Sequence, residues 1–152
     1  MGLASLEKKI LLQNRKVAHD YLIESKIEAG LVLLGSEVKS LRNGRGQLTD
    51  AHVIVDNGEA FLIHFKIQEY AGANQYNHAP SRQRKLLLKK KQIHQLDEVL
   101  RKKGYAVLPL EVLLRGKWVK VLLGICKGKK QYDKRAAEKD RELKREVREF
   151  IS

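Results

Sequence analysis

The chain has 152 residues, 43% of them hydrophobic, and a formal net charge of +13. That length favours one domain with extensions, and the apolar share is enough to bury a core. The charge excess directs the protein to polyanions, nucleic acid first and an anionic membrane second, and no apolar run approaches the ~18 residues of a spanning helix.

Residues 1–13 mix apolar and charged side chains without a helix cap. They lack the charge, apolar core and cleavage-site order of a signal peptide. This stretch reads as an N-terminal extension, disordered or a frayed helix. The basic block NRKVAHDY (14–21) leads into a strand expected over 21–26. In EAGLVLLGSEVKSLR (28–42) the apolar run 31–34 suits a buried strand. Gly35 marks a corner, and Ser36 suits the N-cap of a helix with Glu37 in its first turn. Val38 and Leu41 fall inside that helix and Lys39 and Arg42 outside, with Gly44 just past its end. Residues 48–67 read as a hairpin around Asp56-Asn57-Gly58, and 68–81 as loop.

Residues 82–91, RQRKLLLKKK, hold six bases and no acid: Arg82, Arg84, Lys85, Lys89, Lys90 and Lys91. Three leucines are expected to bury one side while the cations crowd the other. Like charges this close cost energy unless a polyanion neutralises them, and each phosphate contacted releases counterions. Ile93, Leu96, Val99 and Leu100 then give a helix that Gly104 stops. A second hairpin is expected over 105–125 around Arg115-Gly116-Lys117.

Residues 127–152 differ in kind. Five bases and one acid occupy 127–135, whereas five of each occupy 136–152. The stripe Ala136, Leu143, Val147 and Phe150 is too thin for a core helix, so this basic C-terminal tail reads as a segment that folds on a partner. Short strands, turn signals and a few helices define a mainly β chain. The expected form is a small closed barrel of the oligonucleotide-binding type, about six strands with two or three short helices, over 14–126.

The five histidines make no HExxH, and Cys126 has no second cysteine for a disulfide or a CxxC zinc half-site. A lone cysteine suits a cytoplasmic protein and, inside an apolar strand, a small core residue. Gly30 to Ser36 has the glycine spacing of a phosphate loop but lacks its lysine. His19 and Asp20, as neighbours on a strand, are expected on opposite faces. No clustered catalytic set emerges, so no enzyme activity, cofactor or metal is expected. Aromatic residues are only 6% of the chain, which suits structured RNA read by shape and backbone better than a run of stacked single-stranded bases.

The blocks NRKVAHDY, EAGLVLLGSEVKSLR, GEAFL, NHAPSRQRKLLL and KGKKQYDKR occur in this order and resemble those of the SmpB (small protein B) family, the tmRNA-binding or SsrA-binding proteins of bacterial trans-translation. The resemblance implies an oligonucleotide-binding-type barrel that binds the tRNA-like domain of tmRNA and delivers it to stalled ribosomes. Incomplete peptides are then tagged for degradation, with no reaction by the protein itself. It implies that Glu28 organises the tmRNA-binding surface, that Leu87 and Lys120 lie at it, and that Asn14, Arg15 and Lys16 belong to the opening basic block. Lys89 stands where the family more often shows His or Asn, and Ala18 where it shows a base. With Lys39, Arg42, Arg82, Arg84 and Lys85 these are the candidate RNA contacts. Lys127, Gly128, Lys129, Lys130, Tyr132, Asp133, Lys134 and Arg135 are the candidate ribosome contacts, near the decoding centre and in the mRNA channel, where the tail becomes helical after being disordered in the free protein. A cytoplasmic monomer is expected. The competing reading is a structural ribosomal or ribosome-assembly protein.

Overall fold

The computed structural model describes residues 8–70 and 77–129. Among the described residues nine strands and three helices run in the order β1 (Lys8–Gln13), α1 (Lys16–Asp20), β2 (Tyr21–Leu31), α2 (Gly35–Arg42), β3 (Gly46–Gln47), β4 (His52–Asp56), β5 (Glu59–Ile63), β6 (Lys66–Ile67), β7 (Arg84–Leu87), α3 (Lys90–Leu100), β8 (Tyr105–Arg115) and β9 (Trp118–Gly128). Seven strands form one antiparallel sheet in the order β1-β8-β9-β2-β7-β5-β4, and β3 pairs with β6 separately.

The two hairpins follow from their turns. Asp56 pairs with Glu59 across Asn57 and Gly58, whose φ angles of +50° and +73° are the pair a two-residue type I′ turn requires. Arg115 pairs with Trp118 across Gly116 and Lys117, with Gly116 at φ +59°. The β8–β9 ladder is the long spine of the sheet, and β2 extends it along the other side of β9.

Both faces of this spine are covered in part. On the inner face, Ala29, Leu31, Val107, Val112, Val119, Val121, Leu123 and Ile125 join Leu41, Leu62, Phe65, Leu86 and Leu96 in the main core. α3 lies against β4 and β8 and drives Leu96 into that core. On the outer face, α1 places Val17 over Leu108, Leu110 and Cys126 in a second cluster. Burial there pushes the Cys126 thiol up to about 11, as suits a core residue.

Several expectations need correction. The hydrogen-bonded sheet has seven strands, not about six, and does not close, since β1 and β4 are its ends. Within the expected N-terminal extension, residues 8–13 are neither disordered nor helical. They form β1, which satisfies one edge of β8, and Leu11 and Leu12 pack on the main core. Residues 14–21 contain the unforeseen helix α1, so His19 and Asp20 are not strand neighbours; His19 Nδ1 and Asp20 Oδ1 hydrogen-bond at 2.8 Å. The two strands expected near 21–26 and 31–34 are one strand ending at Leu31, with a bulge between Ile23 and Ser25. Helix α2 starts at Gly35 with Leu34 as N-cap, so Ser36 is not the cap. It is buried and bonded to His78 Nδ1 at 2.8 Å. The three leucines of 86–88 do not share a buried side, because β7 alternates: Leu86 is in the core and Leu87 is 56% exposed. β9 runs past 126 to Gly128, placing Lys127 and Gly128 opposite Leu22 and Tyr21.

Candidate nucleic-acid interface

Directly opposed residues of an antiparallel ladder point to the same face. Gly30 lies between Lys120 on β9 and Leu87 on β7, so these three form one row on the outer face. Period-two alternation puts Glu28 on one side of that row and Val32 on the other, Trp118 beyond Lys120, and Lys85 beyond Leu87. The Val32 N–H donates to the Lys85 carbonyl at 3.0 Å, which keeps the second row in register. The face is therefore a grid of cations and uncovered apolar groups. Trp118 is 60% exposed, and Val32 and Leu34 are exposed as well.

Gly30 matters for the grid's shape. A Cβ there would sit 3.1 Å from the Leu87 Cβ, so the glycine leaves room for Leu87 to lie over β2. At the spine end, Arg115 Nε donates to Glu28 Oε1 at 2.8 Å, both side chains half-exposed. The Lys117 ammonium lies 5.3 Å from the Trp118 ring centroid. Lys85 reaches Glu59 at 3.4 Å. Lys89, Lys90 and Lys91 are exposed at the amino end of α3, where positive charge opposes the helix dipole. That is a cost in the free protein which a bound polyanion removes.

Beneath the grid lies a buried ion network. Glu37 is fully buried in α2. Its Oε1 accepts the Leu34 N–H at 2.8 Å, the reach-back of a helix-capping acid. Arg82 forks onto both oxygens, with Nε to Oε2 at 3.0 Å and Nη2 to Oε1. Arg84 Nε donates to Oε2 at 2.6 Å. The other Arg84 donors go to the carbonyls of Phe65, Arg82 and Pro80. Burial pushes the Glu37 carboxyl up, but the Arg82 and Leu34 hydrogen bonds and the Arg84 charge outweigh it, holding the group below the usual carboxylate value of 4.5. Next to this network, buried His78 donates its Nε2–H to the Ile67 carbonyl and shares a hydrogen bond between Nδ1 and Ser36 Oγ, both at 2.8 Å.

The structure thus brings together Glu28, Lys85, Leu87 and Lys120. Lys89 stands exposed at the amino end of α3, just past β7. The structure does not bring the remaining candidates to that face. Arg84 is fully buried and cannot meet RNA, which corrects its assignment as a contact. Arg82 is occupied by Glu37 and, at 3.4 Å, by the Val32 carbonyl. Asn14 is a brace, its Nδ2 donating to the Leu48 and Pro109 carbonyls at 3.2 Å. Arg15 bonds Gln13, and Lys16 is exposed on α1. Lys39 lies over the Tyr70 ring at 5.4 Å and Arg42 is exposed, both on α2. Lys129 donates its N–H to Asp20 O at 3.1 Å and its Nζ to Ala18 O at 3.0 Å. Lys130, Tyr132, Asp133, Lys134 and Arg135 lie outside the described residues. An open cleft of 680 Å³, between β4, α3 and the first half of β8, is separate from the grid.

Sequence reasoning missed Arg115, Val32, Trp118 and the Glu37 network as parts of this site. Trp118 carried a readable signal, since it starts a strand two residues before Lys120 and must share its face. Among the described residues no group of three or more His, Cys, Asp or Glu side chains could hold a metal, and no helix is long and apolar enough to cross a membrane.

Fold and site together define a class: a small, strongly basic, antiparallel sheet protein that exposes a grid of cationic and apolar side chains. The family model described as "SmpB protein" matches residues 11–152. The chain is 49% identical over 145 residues to the SsrA-binding protein of Shouchella clausii, covering 95% of this chain and 93% of that one. It is 48% identical over 142 residues to the SsrA-binding protein of Geotalea uraniireducens, covering 93% and 94%. A solved structure described as "tmRNA-SmpB: a journey to the center of the bacterial ribosome" contains a chain 39% identical, with a TM-score of 0.68, covering 79% of this chain and 85% of that one. The chain belongs to the SmpB family.

Proposed function

We infer that this protein binds the tRNA-like domain of tmRNA and delivers it to stalled ribosomes for trans-translation, so that incomplete peptides are tagged for degradation. The observation that carries the reading is the Lys120–Gly30–Leu87 row, flanked by Lys85 and Trp118, with the large apolar side chains of Leu87 and Trp118 exposed beside the lysines. Lysines neutralise phosphates, and exposed apolar side chains meet ribose or base. The names of the relatives and of the solved complex support the same partner and the same ribosomal setting. The curled seven-strand sheet, open in its hydrogen bonding, is read as a variant of the oligonucleotide-binding barrel.

In this reading Glu28, held by Arg115, orders the surface, and Lys85, Leu87, Lys89 and Lys120 contact the RNA. Residues from Lys127 through Arg135 engage the small ribosomal subunit. The protein carries no reaction of its own and works as a cytoplasmic monomer. The test is a gel-shift titration with the tRNA-like domain of tmRNA against an unrelated rRNA fragment. Selective binding of the first supports the reading, and equal affinity for both supports a structural ribosomal protein instead. Truncation after Lys129 is expected to leave tmRNA binding intact, because every grid residue from Glu28 to Lys120 precedes the cut, while abolishing peptide tagging in a reconstituted translation assay.

A further inference from the structure

Arg82 looks like an RNA contact in the sequence, one cation among six in a ten-residue run. Its surroundings argue for another role. Three observations converge on the segment that joins β2 to α2. Glu37 holds the Leu34 N–H at 2.8 Å. Arg82 forks onto Glu37 and reaches the Val32 carbonyl at 3.4 Å. The Val32 N–H is bonded to the Lys85 carbonyl. On β7 the same carboxylate takes Arg84, whose neighbour Lys85 points to the opposite, outer face. One buried carboxylate therefore ties the backbone under Val32 and Leu34 to the backbone that carries Lys85 and Leu87.

We propose that Arg82 and Glu37 are positioning residues for the RNA-binding grid, and that Arg82 acts on RNA through Glu37 and the Val32–Leu34 segment instead of through phosphate. The proposal rests on the RNA-binding reading above. Its chemistry favours arginine over lysine. A planar fork meets both carboxylate oxygens and still has a donor for a carbonyl, whereas one ammonium cannot hold this geometry. Arg82 is the better probe of the network because its side chain is 29% exposed, whereas Arg84 is fully buried and its removal would strand Glu37.

The experiment measures affinity of the full chain for the transcribed tRNA-like domain of tmRNA across salt, from about 50 to about 200 mM. Lys85→Ala and Lys120→Ala are the comparison for true phosphate contacts, each expected to lower the salt slope by about one. Arg82→Ala is expected to weaken binding about tenfold with the slope unchanged. Arg82→Lys, which keeps the charge and loses the fork, is expected to bind as weakly as Arg82→Ala. All measurements are made well below each variant's melting temperature, checked by circular dichroism. A slope that falls by about one in Arg82→Ala, or full rescue by Arg82→Lys, makes Arg82 a phosphate contact and overturns the proposal. Unchanged affinity in Arg82→Ala overturns it too. Loss of neither affinity nor slope in Lys85→Ala and Lys120→Ala would instead overturn the assignment of the grid as the RNA site.

Discussion

Glu37 shows how one side chain can join a helix start, a strand and a loop. A buried carboxylate is tolerable here because two guanidinium groups and a backbone N–H meet its two oxygens. Removing one partner of such a buried set leaves uncompensated charge, so Glu37→Gln is expected to destabilise the fold by about 3 kcal/mol, read from the urea midpoint. Because the native carboxyl is held below 4.5, the stabilisation is present above that value and lost as pH falls through the depressed native one. The wild type should therefore lose stability on acidification below 4.5 more steeply than Glu37→Gln. Trp118 makes the opposite case at the same scale. It is large and 60% exposed, so Trp118→Ala should leave the melting temperature nearly unchanged. RNA binding should weaken by about 1–3 kcal/mol if a base stacks on the indole, a difference that filter binding resolves. Legibility at this scale depended on distance along the chain. Glu37 was recognised as a first-turn acid, which its bond to Leu34 bears out. Arg84 could not be recognised as buried, because its partner lies 47 residues away and the run around it looks uniformly solvated.

Elements were legible where their own residues decide them. The hairpins followed from Asn57-Gly58 and from Gly116, and α3 from the spacing that buries Leu96. β1 was not legible, because its pattern is weak and the reason it forms belongs to β8, whose edge it pairs. Helix α1 was lost for the same reason. Its five residues carry no cap side chain, and it is held by Val17 packing onto the outer cluster. That cluster also explains a glycine within β9. A Cβ at Gly124 would meet the Leu110 side chain at 3.0 Å, so Gly124→Ala should push Leu110 and α1 outward. The expected cost is about 1–3 kcal/mol by overpacking, measured by thermal melting, with relief in the Gly124→Ala/Leu110→Val double variant.

At the scale of the molecule, the sheet is used on both sides but unequally. Its inner face is closed by the main core, while on its outer face, among the described residues, α1 covers one end and Leu87 and Trp118 stand exposed toward the other. Composition announced the polyanion partner from the +13 charge, but not which face would meet it, since that depends on which strands neighbour β2. The covered end has one more consequence. Cys126 is the chain's sole cysteine, and burial both hides its thiol and pushes it up to about 11. At neutral pH it is a poor nucleophile that reagents do not reach. A cysteine introduced at an exposed position such as Lys117 or Asn57 would then be the one thiol that maleimide reagents modify. A dye pair across protein and RNA could be attached without first removing the native cysteine.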